Sequence, residues 1–206
     1  MSLDTYDNLK LEIIDWSHRG DIDLKVDTFI DMAEVAMFSN PDEVLQVRGQ
    51  ETRVTLVTSG QFLSLPSDYH SMRSIRFLIP QNDQEVFYRT PSQMIREPST
   101  GRPFYFTVTS EIEFNRVPDT NYNIELQYYA KPTELSATTA SNEVLASDPN
   151  IYLFGALAAC FIYANDEIEA QKYNGLFIGA IKGANKKFKR GRYGPAPAMS
   201  PSGTVV

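Results

Sequence analysis

The hydrophobic periods along this chain predict an α+β fold. It combines an antiparallel helical bundle built from the N- and C-terminal helices, an inserted all-β domain of sandwich or barrel-like type, and an extended C-terminal tail. Three observations predict it. Apolar residues recur at three- and four-residue steps near both ends of the chain, the spacing of one helix face. From Thr52 to Tyr128 the repeat changes to two, which sends alternate side chains to opposite faces of a strand. Ile151 to Tyr163 carries no charge, so as a helix it must be enclosed on every side. Neither terminal group of helices buries its stripe alone, and joining the two around one core is the simplest packing.

Thr5 to Trp16 reads as a first helix with Leu9, Ile13 and Trp16 on one side, ended by Gly20. Asp21 to Asp23 supply acids suited to the start of a second helix, where Val26, Phe29, Ile30, Ala33 and Met37 form the stripe. Asn40-Pro41 interrupts it, and Pro41 to Leu45 is expected to restart as a further helical turn. Val54, Leu56 and Thr58 then alternate with polar residues, Ser59-Gly60 turns the chain, and Phe62 to Leu65 returns it as a hairpin. Ile75-Phe77-Ile79 and Val86-Phe87-Tyr88 make two more strands. Thr90 to Arg96 reads as a short helix capped by Thr90. Phe104 to Val108 and Ile112 to Phe114 form a second hairpin, and Tyr122, Ile124, Leu126 and Tyr128 mark the last strand.

Lys131-Pro132 ends the sheet, and Ser136 to Ser141 is a polar connection. Asp148 caps the apolar helix, with Pro149 at its first position. Asn165-Asp166-Glu167 breaks that helix and starts another reaching about Arg190, striped by Tyr173, Leu176, Phe177, Ala180, Ile181, Ala184 and Phe188. The expected division is a helical bundle from 1–50 and 142–192, a β domain over 51–141, and a flexible tail over 193–206 with no fixed structure in isolation.

With 206 residues, 42% of them hydrophobic and 22% charged, the chain has the composition of a globular protein with a real core. A net charge of −7 argues against a general nucleic-acid coat. Yet Lys182, Lys186, Lys187, Lys189, Arg190 and Arg192 crowd one end without an acid among them. The single cysteine, Cys160, allows no intrachain disulfide and has the apolar neighbours of a core residue. The N-terminus lacks the parts of a signal peptide, and the longest uncharged apolar stretch is shorter than the roughly 20 residues that span a bilayer. The expectation is a soluble protein made in a cytoplasm, with no membrane partner.

Chemistry is hard to find. His18 and His70 stand in no metal-binding pair. Asp68, His70 and Ser71 hold the letters of a catalytic triad, but neighbours in extended chain point different ways and no glycine-framed nucleophile turn is present. Asp15, Asp21, Asp23, Asp27 and Asp31 lack calcium-loop spacing and read as solvated faces and helix starts. Tyr88, Tyr105, Tyr122, Tyr128 and Tyr129 offer a conceivable stacking platform for sugars or bases, though aromatics are also ordinary strand formers. No catalytic, cofactor or metal residue is predicted. Gly175, Gly179 and Gly183 sit at four-residue steps on the last helix. They imply close approach of another backbone, either within the bundle or from a neighbouring subunit.

Several phrases, in their order, resemble a known family. They are Thr58-Ser59-Gly60 with Leu65-Pro66-Ser67-Asp68-Tyr69, then Ser74-Ile75-Arg76, then Gly101-Arg102-Pro103 followed by Tyr105. They continue as Leu126 to Pro132 with Leu135-Ser136, and Asp148-Pro149 followed by Tyr152 to Leu157. From about Tyr6 to Arg190 the chain is similar to head-to-tail adaptors (head completion or tail tubular A-like proteins) of short-tailed phages.

The resemblance implies a structural virion protein that is not an enzyme and needs no cofactor. It implies a homo-oligomeric ring, commonly of twelve, between the portal protein and the tail nozzle protein at the head–tail junction, through which genome DNA passes without sequence-specific binding. It implies that the C-terminal segment reaches the portal. Lys186, Lys187, Lys189, Arg190, Arg192, Tyr193, Pro195, Pro197 and Met199 are the portal-docking candidates, and Gly175, Gly179 and Gly183 the subunit-packing ones. The alternatives are a carbohydrate- or receptor-binding module using the tyrosine-rich β domain, and a small hydrolase dependent on His70 or an acidic pair.

Overall fold

The first helix starts where the sequence offers a cap. The Thr5 hydroxyl accepts the Asn8 amide at 3.3 Å, and α1 runs Tyr6–Ser17. Its inward stripe is Tyr6, Leu9, Ile13 and Ser17. Trp16, expected inside, is 42% exposed and rests against the ring of Phe154. The step of four from Ile13 points inward, and there Ser17 gives its hydroxyl proton to the Ile14 carbonyl at 2.8 Å. The helix ends at His18, in the left-handed conformation with φ 52°, two residues before Gly20.

The computed structural model describes residues 3–41, 43–58, 60–79 and 84–193. The chain forms two compact units, one from residues up to Arg48 together with those from Thr133 onward, the other from Gly49 to Pro132.

In the first unit α2, Val26–Ser39, follows a 3-10 turn and buries Val26, Phe29, Ile30, Ala33 and Met37, the stripe the spacing predicts. The helical restart after Pro41 does not occur. Residues 43–47 have no regular structure, and they bury Leu45 and Val47 on either side of Gln46, an alternation of two. The Leu45 amide donates to the Met37 carbonyl at 2.9 Å.

A short α3, Glu143–Ser147, precedes the long apolar helix and takes its cap from Asn142, whose side chain accepts the Leu145 amide at 2.9 Å. Asp148 therefore ends α3 rather than capping α4, Asn150–Tyr163, which begins directly after Pro149. Asp166 caps α5, Glu167–Tyr193, by accepting the Glu169 amide at 3.2 Å. Tyr173, Phe177, Ile181 and Ala184 are buried as the stripe predicts, but Leu176 is exposed. Helix α4 packs against α1, α2 and α5. At Gly155 a Cβ would meet Ala33 Cβ at 2.9 Å and Phe177 Cε2 at 3.0 Å. Only a glycine lets α2 and α5 close on α4 at that level. Phe161 stacks on Tyr173 with ring centroids 5.3 Å apart.

The second unit is a seven-stranded sheet. Its strands are β1 Glu51–Thr58, β2 Phe62–Ser64, β3 Tyr69–Leu78, β4 Gln84–Tyr88, β5 Tyr105–Val108, β6 Glu111–Phe114 and β7 Tyr122–Ala130. Their spatial order is β1-β7-β3-β4-β5-β6-β2, antiparallel except for β4 beside β5. The expected β5–β6 hairpin forms, but the expected β1–β2 hairpin does not. All eight residues of β1 pair with β7, from Glu51↔Tyr129 to Thr58↔Tyr122, while β2 pairs with β6. Alternation identifies a strand but not its partner, and β7 offers β1 a full-length ladder that three-residue β2 does not.

Strands β1 and β2 are the two edges of the sheet and consecutive in the chain. The link from Thr58 to Phe62 spans at most about 14 Å, so the edges are drawn together into a barrel-like sheet. Inside lie Ile75, Phe77, Val86, Phe106, Ile112, Phe114, Ile124 and Leu126. Thr90 to Arg96 makes only the 3-10 turn Pro91–Gln93, and Thr90 does not cap it. Its hydroxyl pairs with that of Ser92 instead.

Phe177 lies 2% exposed where α5 meets α4. Phe177→Asp removes a buried ring and leaves an unpaired carboxylate among apolar groups, a loss of at least about 4 kcal/mol. Thermal denaturation should show the helical unit unfolded, or its melting temperature lowered by well over ten degrees.

Candidate docking surfaces

The positions the sequence suggests for chemistry do not converge. The Asp68 carboxylate accepts the Tyr128 hydroxyl at 2.8 Å, and His70 falls where the register of β3 against β7 shifts between Tyr69 and Ser71. His18 is exposed at the end of α1. The tyrosines do not share a platform: Tyr128 and Tyr129 are buried, Tyr122 donates to Asp119 at 2.7 Å, and Tyr88 meets Phe106 edge to face. Asp21 pairs with Arg19, and Asp27 with Lys10 and the Tyr6 hydroxyl. Among the described residues no group of three His, Cys, Asp or Glu is placed to hold a metal ion. None of the described helices is long and apolar enough to cross a membrane. Cys160 is buried, and burial pushes its thiol up.

Among the phrases that carry the resemblance, Gly101-Arg102-Pro103 belongs to a polar cluster with a structural role. Asn115, fully buried, accepts the Phe104 and Tyr105 amides at 2.9 and 3.1 Å and donates to Glu97 at 3.3 Å. Arg116 also pairs with Glu97 and lies over the Phe104 ring, as Arg102 does from Gly101-Arg102-Pro103. Gly101 passes so close to Arg116 that a Cβ would meet its Nη1 at 3.0 Å.

In the helical unit, Glu34 accepts the Leu135 amide and the Tyr152 hydroxyl, each at 2.9 Å. Asn142 donates to that same Tyr152 oxygen at 2.7 Å. These bonds hold the connection after the β unit onto α2 and α4. Burial is the main cause that raises the Glu34 carboxyl above the ordinary carboxylate range, against the two donors that lower it.

What remains is surface, and α5 supplies two faces of it. Lys186, Lys187, Lys189 and Arg190 are exposed on its last turns, with Lys187 3.4 Å from Asp148. Arg192 and Tyr193 belong to the helix, while Pro195, Pro197 and Met199 lie outside the described residues. Cations there also suit the negative end of the helix itself.

Sequence reasoning missed the residue that fixes this end. Asn185 is buried, accepts the Gln46 amide at 2.7 Å, and donates to Glu43 at 2.7 Å and to the Val44 carbonyl at 2.9 Å. A polar residue next to Ala184, on the buried side of the stripe, was the available signal. Gly175, Gly179 and Gly183 are exposed, and a Cβ on any of them would meet nothing within 4 Å. No described helix of the chain approaches them, because the buried stripe occupies the other side of α5.

A family model described as SU10 adaptor protein matches residues 4–200. No curated protein matches the chain.

Two outcomes follow from the buried polar groups. Asn185→Leu strands the Gln46 amide and should cost about 2–3 kcal/mol, with faster amide exchange at Gln46 than at Met37. Glu34, raised when folded, contributes stability fully below the unfolded glutamate value and loses it as pH climbs through the folded value. Glu34→Gln keeps the accepting oxygen and removes that loss. The variant should melt above the parent at pH 7, with the margin closing as pH falls below the ordinary glutamate range.

Proposed function

Because the chain belongs to the SU10 adaptor protein family, we propose that it is a structural protein of a phage virion, one subunit of a ring joining head to tail. The observation that carries this is the match itself, which takes in both units and continues past the last described residue. In this reading twelve copies close a ring between the portal protein and the tail nozzle protein, and the genome passes through its opening without sequence-specific contacts. An adaptor works through surfaces and needs no reaction. The ring closes head to tail, each copy offering two different faces to its neighbours, and Gly175, Gly179 and Gly183 belong to one of them.

The C-terminus is the portal-facing end of this proposal. Lys186, Lys187, Lys189, Arg190 and Arg192 lead through Tyr193 into Gly194-Pro195-Ala196-Pro197-Ala198-Met199. A sequence poor in large apolar residues that follows directly from a core helix suits docking on another protein, where its ordering cost is met only on the correct surface. The exposed α5 cations support an electrostatic share in that contact.

Deleting Gly194 to Val206 should leave the melting temperature of the isolated chain unchanged and abolish attachment to portal-bearing capsids. Replacing Lys186, Lys187, Lys189 and Arg190 with glutamine should weaken attachment more at low salt than at high salt. A truncated chain that joins capsids at parent levels refutes the docking role.

A further inference from the structure

The outer side of α2 is as unusual as the outer side of α5. Thr28, Asp31, Met32, Val35 and Ser39 line an open depression of ≈ 310 Å³. A second, of ≈ 290 Å³, shares Thr28 and Met32 and extends to Ile162 and Tyr163 at the end of α4, with Lys25 on its rim. The two form one groove flanked by exposed apolar side chains, with Val35 at 67% and Ile162 at 62%. Asp31 is the acid that lines it, whereas Asp27 on the same helix is held by Lys10 and Tyr6 and Glu34 by Tyr152 and Leu135. Partial burial, and after it the like charges of Glu134 and Asp27, hold the Asp31 carboxyl up.

The exposed face of α5 is complementary in both respects. From Ala170 to Tyr193 the helix sequence has seven Lys and Arg residues and no acid. Its glycine row presents bare backbone, flanked by Lys172, Lys182 and Lys186 at helical steps of three and four. An exposed glycine costs a helix up to about 1 kcal/mol relative to alanine, and nothing among the described residues packs on any of the three. A backbone without side chains accepts a ridge such as Met32–Val35 at the short end of the 8–10 Å range of helix separations. Both α2 and α5 turn their buried stripes toward α4, so both outer faces look away from it.

We propose that the apolar groove along α2, with Asp31 on its wall, receives the glycine and lysine face of α5 from a second copy of this chain. The proposal rests on the ring reading and names the two faces that meet. Because they differ, each copy uses both, and the contact propagates head to tail until it closes. Apolar area supplies the attraction and the opposed charges set register and partner choice.

The test uses the full chain, free and bound to portal-bearing capsids. Val35→Cys and Gly179→Cys chains, made separately and mixed, should be joined by a short bismaleimide into a covalent dimer. Neither should crosslink alone, and the double variant should give a ladder; buried Cys160 stays unreactive. Gly179→Leu should leave the melting temperature of the isolated chain unchanged or higher, since its Cβ meets nothing, yet abolish association in sedimentation. Asp31→Lys should weaken self-association about tenfold, and adding Lys182→Glu with Lys186→Glu should restore it.

Oligomers that form without the Val35–Gly179 crosslink overturn this pairing and leave the ring standing. A chain that is monomeric at every concentration and on the portal overturns both. Duplex DNA binding that Lys182→Glu and Lys186→Glu abolish, with no crosslink, reassigns the α5 face to nucleic acid and overturns the pairing.

Discussion

An uncharged helix must have most of its surface covered by protein, and in this chain that requirement falls on α4. Ten of its fourteen residues are buried, and the helices around it are drawn from both ends of the sequence. Gly155 sets how near they come, since the space beyond its Cα is filled by Ala33 and Phe177. The polar atoms that must enter such a core come with partners. Tyr152 is fully buried, and its hydroxyl donates to Glu34 while accepting from Asn142. Asn185 makes three hydrogen bonds to the segment after α2. Satisfied in this way, buried polar groups cost little and specify which segments lie side by side.

Helix faces were legible in the sequence because a buried stripe repeats locally. Val26, Phe29, Ile30, Ala33 and Met37 needed no knowledge of what they pack against, and the Tyr173 to Ala184 stripe was equally plain. Strand partners were not legible. The turn signal at Ser59-Gly60 suggested a hairpin, but β1 found its ladder with β7, far along the chain. Residues 43–47 were misread for a related reason: three apolar residues in five fit a helical turn as well as an alternation, and the Asn185 side chain decides between them. At Asp148-Pro149 the cap chemistry was sound in type but applied one helix too late, because a five-residue helix gives almost no periodic signal.

The docking surfaces were half legible. Glycines at four-residue steps and a run of cations stand out in a sequence, and the structure places both on the exposed side of α5. The groove along α2 was hidden, because Met32 and Val35 look like ordinary members of an apolar helix until the inward stripe has been assigned to other residues. Gly101-Arg102-Pro103 signalled kinship in the sequence. In three dimensions its guanidinium and its glycine brace the turn around Phe104 and Arg116.

Because the β unit interrupts the helical one, the two mature at different times during synthesis. Gly49 to Pro132 is continuous, and its first and last strands pair along their whole length, so the sheet is complete as soon as β7 leaves the ribosome. Helices α1 and α2 emerge earlier but have nothing to close upon. The bond from Tyr152 to Glu34 spans 118 positions, and the stripe of α2 waits for α4 across that whole interval. Such distant contacts form late. During translation the nascent chain therefore carries a finished sheet after a pair of helices whose apolar sides are still wet, and that is the interval in which it is most exposed to aggregation.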